Sequence, residues 1–73
     1  MRNMNKSRIR DLREDNDLTQ QQVADAIGIT QRKYSYIETE TQPTTAELLC
    51  KLADFYNTNI DFILFQTNNS ERI

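Results

Sequence analysis

The side chains that carry most enzymatic and metal chemistry are scarce in this sequence of 73 residues. It contains no histidine, and Cys50 is its single cysteine. Zinc sites of the Cys/His type, Ser-His-Asp and Cys-His nucleophiles and a histidine general base are therefore excluded. The eleven Asp and Glu residues are scattered, and no two stand at a spacing that indicates acid–base catalysis. We predict that the protein is not an enzyme and holds no metal ion or cofactor.

Basic side chains are unevenly placed, although the formal net charge is only −2. Arg32 and Lys33 are adjacent, and five more basic residues crowd the start of the chain: Arg2, Lys6, Arg8, Arg10 and Arg13. The acidic total argues mildly against a nucleic-acid partner, because surfaces that bind nucleic acid are usually basic. A binding surface is governed by its local field, however, and not by the total charge. Basic residues that only solvate a helix face are the simpler explanation for isolated charges.

The compartment follows from the single thiol and from the lack of long apolar runs. A lone cysteine suits a reducing environment. No run of apolar residues is long enough to span a membrane, and the N-terminus lacks the apolar segment of a signal peptide. We predict a cytoplasmic protein without a membrane partner.

The apolar residues recur at helical spacing throughout, and no alternating run indicates a strand. We predict one all-α domain over residues 1–73, with helices at about 6–16, 20–27, 31–39, 45–56 and 60–65 and a polar, fraying tail over 66–73. Polar residues mark three helix starts: a capping box of Thr19 and Gln22, a cap at Thr30, and a second capping box of Thr44 and Glu47.

Gly28 is the only glycine in the chain, and it stands between the second and third predicted helices. Glycine adopts positive φ easily, which allows a helix to end in a tight turn. Ala24, one helical turn earlier, provides a small side chain where two steeply crossing helices would come closest. The two helices and their turn therefore predict a helix-turn-helix unit, although an ordinary helical corner has the same ingredients.

Four stretches resemble a known family: "LTQQQVADAIGI" (18–29), the following "TQ" (30–31), "YIE" (36–38) and "LLCKLADFYNTNIDFIL" (48–64). In this order and spacing they are similar to regulators of the phage repressor/Cro type, the XRE family. The resemblance extends from Ile9 to Leu64. It implies a compact five-helix bundle, the lambda repressor-like DNA-binding domain, in a sequence-specific transcriptional regulator that acts as a repressor. Double-stranded DNA would be its partner, and the bound protein would associate with the nucleoid.

In this family the third helix enters the major groove of DNA and its N-terminal residues face the bases. The resemblance assigns the contacts with bases to Gln31, Arg32 and Tyr36, and a phosphate contact to Lys33. Glutamine can pair with adenine through two hydrogen bonds, and arginine can pair with guanine in the same way. Tyr36 has two open roles, packing on a thymine methyl group or donating its hydroxyl to a phosphate.

Further contacts with the DNA backbone are implied at the start of the second helix, by Gln20 with Thr19 beside it. A helix N-terminus favours phosphate there, although a solvated glutamine without a role would look the same. Arg13 and Glu38 match a buried ion pair that ties the first helix to the end of the third. In the family this arginine also touches the DNA backbone, so Arg13 is expected to serve twice.

The loop after the third helix departs from the family pattern. Glu40 stands where the family usually has glycine, and residues 39–42 contain none of the basic side chains that normally grip phosphate. Pro43 also comes one residue earlier than the proline of the family, at whose position this chain has Thr44. Fewer phosphate contacts imply weak DNA binding by each monomer, or binding that depends on dimerisation.

Four apolar residues lie outside the predicted core: Leu48, Phe55, Phe62 and Phe65. Several such residues on two helices of a small domain indicate a surface patch for a partner. We therefore predict a homodimer that uses this patch and reads paired half-sites about one turn of DNA (~34 Å) apart.

A protein-binding module with the same fold, similar to an antitoxin or an antirepressor, is the alternative function. The acidic composition and the missing basic loop favour it slightly. The two functions differ at the third helix, because a DNA reader loses binding when Arg32 is replaced by alanine and a protein-binding module does not.

Overall fold

Five α-helices follow one another in this computed structural model, which describes residues 7–39 and 41–71. They are α1 (Ile9–Asp15), α2 (Gln20–Ile27), α3 (Gln31–Glu38), α4 (Ala46–Tyr56) and α5 (Ile60–Ile63). No strand occurs in these described ranges, so the all-α prediction is confirmed. None of the helices there has the length and apolar character needed to cross a bilayer.

Every helix contributes to one shared apolar core. The most completely buried large side chains are those of Tyr34, Ile9, Ile37, Leu52, Ile63 and Val23. Removing this apolar surface from water is the main favourable contribution to folding of so short a chain. The side chains face inward because their spacing of three or four residues places them on one side of each helix.

Hydroxyl side chains cap the helix starts. Thr19 accepts a hydrogen bond from the backbone N–H of Gln22 (3.1 Å), whose side-chain oxygen accepts one from the Thr19 N–H (2.8 Å), which confirms the predicted capping box. Thr30 caps α3 by accepting from the N–H of Lys33 (3.1 Å). These bonds satisfy N–H groups that have no partner within the helix.

The second predicted capping box, of Thr44 with Glu47, is wrong by one residue. Thr45 is the cap of α4, and its hydroxyl accepts from the N–H of Leu48 (3.2 Å). Both threonines can cap a helix, so local sequence does not separate them. Leu48 and Leu49, in the first turn of α4, lie in the core, where they are 7 % and 9 % exposed.

The turn between α2 and α3 has the geometry predicted from its glycine. Gly28 ends α2 in the left-handed conformation, with φ 78° and ψ 32°. The N–H of Ile29 reaches back to the carbonyl of Ala24 (3.0 Å), which closes the end of the helix. Ala24 has no exposed surface. Asn57 ends α4 in the same left-handed conformation, with φ 54°.

The first and last elements meet at Arg8. Its backbone N–H donates to the carbonyl of Ile63 (2.7 Å), and its guanidinium group lies between two aromatic rings, 4.1 Å from the centre of Phe62 and 4.5 Å from that of Phe65. One guanidinium nitrogen donates to the carbonyl of Phe62 (3.0 Å) and another to the side chain of Asn68 (3.0 Å). These contacts hold the start of α1 against the end of α5.

Both terminal helices are shorter than the predicted ranges of 6–16 and 60–65. Lys6 lies outside the described residues, and α1 begins at Ile9. α5 ends at Ile63 because Phe65 adopts positive φ (64°), a conformation that no helix can continue. Over 66–71 the polar tail is bonded to the domain, where Thr58 donates to the carbonyl of Ser70 (2.8 Å) and Asn59 donates to two further tail carbonyls.

Candidate nucleic-acid interface

Arg13 and Glu38 form an ion pair between the end of α1 and the end of α3. The Arg13 Nε atom lies 2.7 Å from Glu38 Oε2, and Nη2 lies 2.9 Å from Oε1. The remaining nitrogen, Nη1, donates to the backbone carbonyl of Leu18 (2.9 Å). The Glu38 side chain is 3 % exposed and the Arg13 side chain 15 %. All three guanidinium nitrogens thus bind inside the protein.

Burial and charge act in opposite directions on this pair. Burial raises the pKa of the Glu38 carboxyl, but hydrogen bonds from Arg13 and Gln20 outweigh it, and the pKa lies below its ordinary value. The hydrogen bonds that Arg13 donates to Glu38 raise the pKa of Arg13 above its usual range, against the effect of burial. Glu38 therefore stays ionised in the core near neutral pH.

Two tyrosine hydroxyls are buried close to this pair. Burial raises the pKa of Tyr34 above its ordinary value, and the nearby Glu38 carboxylate raises it further. The pKa of Tyr56 is raised to about 12, again mainly by burial. Neither hydroxyl forms a hydrogen bond of good geometry within the described residues. Both hydroxyls therefore stay protonated near neutral pH.

A chain of hydrogen bonds leads from the ion pair to the start of α3. Gln20 donates its side-chain N–H to Glu38 Oε1 (3.0 Å), and its own amide oxygen accepts from the side chain of Gln31 (2.6 Å). Gln20 and Gln31 are the first residues of α2 and α3, and each follows a capping threonine. The crossing of the two helices therefore brings together residues that are 11 positions apart in sequence.

The direction of these hydrogen bonds fixes the orientation of each side-chain amide. A carboxylate only accepts, so Gln20 must present its nitrogen to Glu38 and its oxygen to Gln31. Gln31 must then use one N–H on Gln20. Its amide oxygen and its second N–H remain available, and these are the acceptor and donor that a bidentate contact with adenine needs.

Arg32 and Tyr36 lie one turn apart on the outer side of α3. The Arg32 Nε atom donates to the Tyr36 hydroxyl (3.0 Å), and the guanidinium carbon lies 5.8 Å from the centre of the ring. Lys33 is exposed. Four polar groups thus lie at the starts of α2 and α3: the amides of Gln20 and Gln31, the guanidinium of Arg32 and the ammonium of Lys33.

The family of the chain is shown by comparison with known proteins. A family model described as "Helix-turn-helix" matches residues 9–63. The chain belongs to the helix-turn-helix family. Its α2, turn and α3 form the helix-turn-helix unit, with Gly28 at the turn.

Two curated proteins are similar to it. One is the cryptic phage CTXphi transcriptional repressor RstR of Vibrio cholerae, 39 % identical over 69 residues, which are 92 % of this chain and 62 % of that protein. The other is the uncharacterized HTH-type transcriptional regulator YobD of Bacillus subtilis (strain 168), 34 % identical over 64 residues, 88 % of this chain and 57 % of that protein. The chain therefore spans only about three fifths of the length of these relatives.

The loop after the helix-turn-helix unit folds against the end of α3. The N–H groups of Thr41 and Gln42 donate to the carbonyl of Tyr36 (2.8 and 3.3 Å), and the Thr39 hydroxyl donates to the carbonyl of Ser35 (2.9 Å). Glu40, which the sequence singled out, lies outside the described residues. The described part of this loop carries no basic side chain.

The predicted dimer patch is not a single exposed surface. Leu48 is wrong as a surface residue, because α4 turns it into the core, where it is 7 % exposed. Phe62 is half-buried against Arg8. Phe55 and Phe65 are 41 % and 44 % exposed, although the Phe65 ring also contacts Arg8. Phe55 packs edge-on against the ring of Tyr56.

The sequence predicted the Thr19 cap and the ion pair of Arg13 with Glu38, and the structure contains both. It did not predict the hydrogen bonds that Gln20 forms with Glu38 and Gln31. The contacts with the DNA backbone assigned to Gln20, Thr19 and Arg13 stay predictions. The repeated "TQ" at residues 19–20 and 30–31 was a usable signal, because it gives both helices the same start. Within the described residues, no group of His, Cys, Asp and Glu side chains converges to hold a metal ion.

Proposed function

We propose that the protein is a transcriptional regulator that binds double-stranded DNA through α3, and that it acts as a repressor. The observation that carries this proposal is the hydrogen-bonded chain from Glu38 through Gln20 to Gln31. It fixes a free amide donor and acceptor at the start of a helix-turn-helix recognition helix. The printed name of one relative, a phage transcriptional repressor, supports the same function.

Sequence discrimination would come from Gln31 and Arg32. With α3 in the major groove, Gln31 faces adenine and Arg32 faces guanine, and each such pair contributes roughly 1–3 kcal/mol of discrimination between bases. A side chain that is already held in place loses less entropy on binding than a mobile one. The bond from Gln20 therefore favours one orientation of the Gln31 amide before DNA arrives.

Affinity would come from contacts with the phosphates near the helix starts. Lys33 is exposed and able to reach a phosphate as a point charge. Thr19 uses its oxygen as a cap and keeps its hydroxyl proton for donation. Arg13 keeps two N–H groups beyond its three internal bonds, so its backbone contact remains a prediction.

A homodimer on paired half-sites completes the proposal. Because few basic residues lie on the interface, a single subunit would bind DNA weakly. Two linked recognition helices that bind together would offset this weakness. Phe55 and Phe65 are the remaining exposed candidates for the contact between subunits. Sedimentation of the wild type and of Phe55→Asp tests this. A monomer at high concentration, unchanged by the substitution, would exclude the dimer.

The test of function is selection of duplexes from a random pool, followed by titration of the best duplex with wild type and with Gln31→Ala. We expect the variant to lose preference at one adenine by about 5- to 150-fold, the ratio that 1–3 kcal/mol represents. The matched control is Gln21→Ala. Gln21 is also a glutamine of the helix-turn-helix unit, but it is exposed and bound to Asp25 (2.8 Å).

Failure to enrich any sequence at low salt would overturn the DNA-binding proposal. Binding that persists with the same affinity at high salt would do so as well, because each phosphate contact releases counterions. The alternative, a protein-binding module similar to an antitoxin or antirepressor, would enrich no sequence.

A further inference from the structure

The pair of Arg32 and Tyr36 is bonded in a way that limits how Arg32 can meet a base. Arginine offers guanine two different edges, one with Nε and one Nη, the other with both Nη groups. In the structure the Nε hydrogen is already donated to the Tyr36 hydroxyl (3.0 Å). Only the edge with both Nη groups is left free.

Tyr36 lies at a partly buried position near the end of α3. Its side chain is half-buried, and its carbonyl accepts hydrogen bonds from the N–H groups of Thr41 and Gln42 at the end of α3. Helical side chains lean towards the N-terminus of their helix, which carries the Tyr36 ring back over the preceding turn where Arg32 stands. A partly buried ring and its hydroxyl therefore meet a long side chain that would otherwise sample many rotamers.

We propose that Tyr36 is a positioning residue for Arg32: its hydroxyl holds the Arg32 Nε so that the two Nη groups meet a guanine end-on. This inference rests on the proposed DNA-binding function and adds a source of specificity to it. It also assigns the Tyr36 hydroxyl to Arg32, in place of a phosphate or a base of its own.

The experiment compares Tyr36→Phe, Arg32→Ala and the double variant with wild type on a set of duplexes in which each base pair of the selected site is changed in turn. Tyr36→Phe keeps the ring and removes only the hydroxyl. We expect Arg32→Ala to abolish the preference at one guanine. Tyr36→Phe should weaken the preference at that same base pair by about 2- to 10-fold, the range of one net hydrogen bond.

In the double variant, Tyr36→Phe should have no further effect at that base pair, because its partner is gone. Arg32→Lys should keep most of the affinity but lose the preference, since lysine has no Nε hydrogen to hold and no second donor edge. Lys33→Ala is the control, and it should lower affinity equally for all duplexes. Circular dichroism of each variant verifies that the helices are intact.

Effects of Tyr36→Phe at a different base pair, additive with those of Arg32→Ala, would overturn the inference and make Tyr36 a reader of its own base. An unchanged preference in Tyr36→Phe would overturn it too. A wild-type protein that prefers no duplex refutes the proposed function instead, so the two failures are distinguishable.

Discussion

Replacing Glu38 with alanine should destabilise this protein far more than the loss of an exposed charge does. The substitution leaves Arg13 in place with its side chain only 15 % exposed. It also removes the acceptor of two Arg13 nitrogens and of the Gln20 amide. The Arg13 guanidinium would then be an unpaired, mostly buried charge.

The size of the effect follows from the geometry. Removing one partner of a buried ion pair costs about 3–5 kcal/mol. Arg13 keeps some exposure and its bond to the Leu18 carbonyl (2.9 Å), so we expect the lower end, about 3 kcal/mol. A chain of 73 residues is stable by roughly 4–11 kcal/mol. The variant should therefore lose a large part of its stability, and its Tm should fall by roughly 12–24 °C.

Urea denaturation followed by far-ultraviolet circular dichroism measures this, since the chain has no tryptophan for fluorescence. Glu14→Ala is the matched control. Glu14 lies 3.9 Å from Arg13 Nη2 and 3.1 Å from Arg10 Nε, but its side chain is 51 % exposed. Its loss should cost less than about 1 kcal/mol. A Glu38→Ala variant that is no less stable than Glu14→Ala would refute the role given to burial.

Three further outcomes test other features. The pKa of Glu38 is lower in the folded protein than its ordinary value of 4.5, so the extra stability of the wild type over Glu38→Gln should be complete above pH 4.5 and shrink as the pH falls through the folded-state pKa. Denaturation of both proteins at several pH values measures this difference, and a difference that does not change with pH contradicts the prediction. Gly28→Ala should lower the stability by about 1–2 kcal/mol through positive φ alone, because an added Cβ meets no atom within 4 Å, and Gly28→Asn should lower it less. Equal losses of stability in thermal denaturation would exclude backbone strain as the cause. Leu48→Ala should lower the stability by about 2–5 kcal/mol and Phe55→Ala by less than about 1.5 kcal/mol. A larger loss for Phe55→Ala in urea denaturation would show that Leu48 does not belong to the core.

The fold could be predicted because its signals are local. Each signal depends on a few neighbouring residues: the helical spacing, a threonine before α2 and before α3, and a single glycine between these helices. The structure has the helices and the left-handed Gly28 that these signals predicted. Thr44 and Thr45 can both cap a helix, so the local signal did not predict which of them starts α4.

The sequence by itself determined which side chains stand at the start of α3 and that none of the usual catalytic groups accompany them. Only the tertiary structure decided what those side chains are bound to. Gln31 meets Gln20 because α2 and α3 cross, and Leu48 enters the core because α4 is rotated towards it. Both outcomes depend on the rotation and crossing of packed helices, to which residues far apart in the chain contribute together.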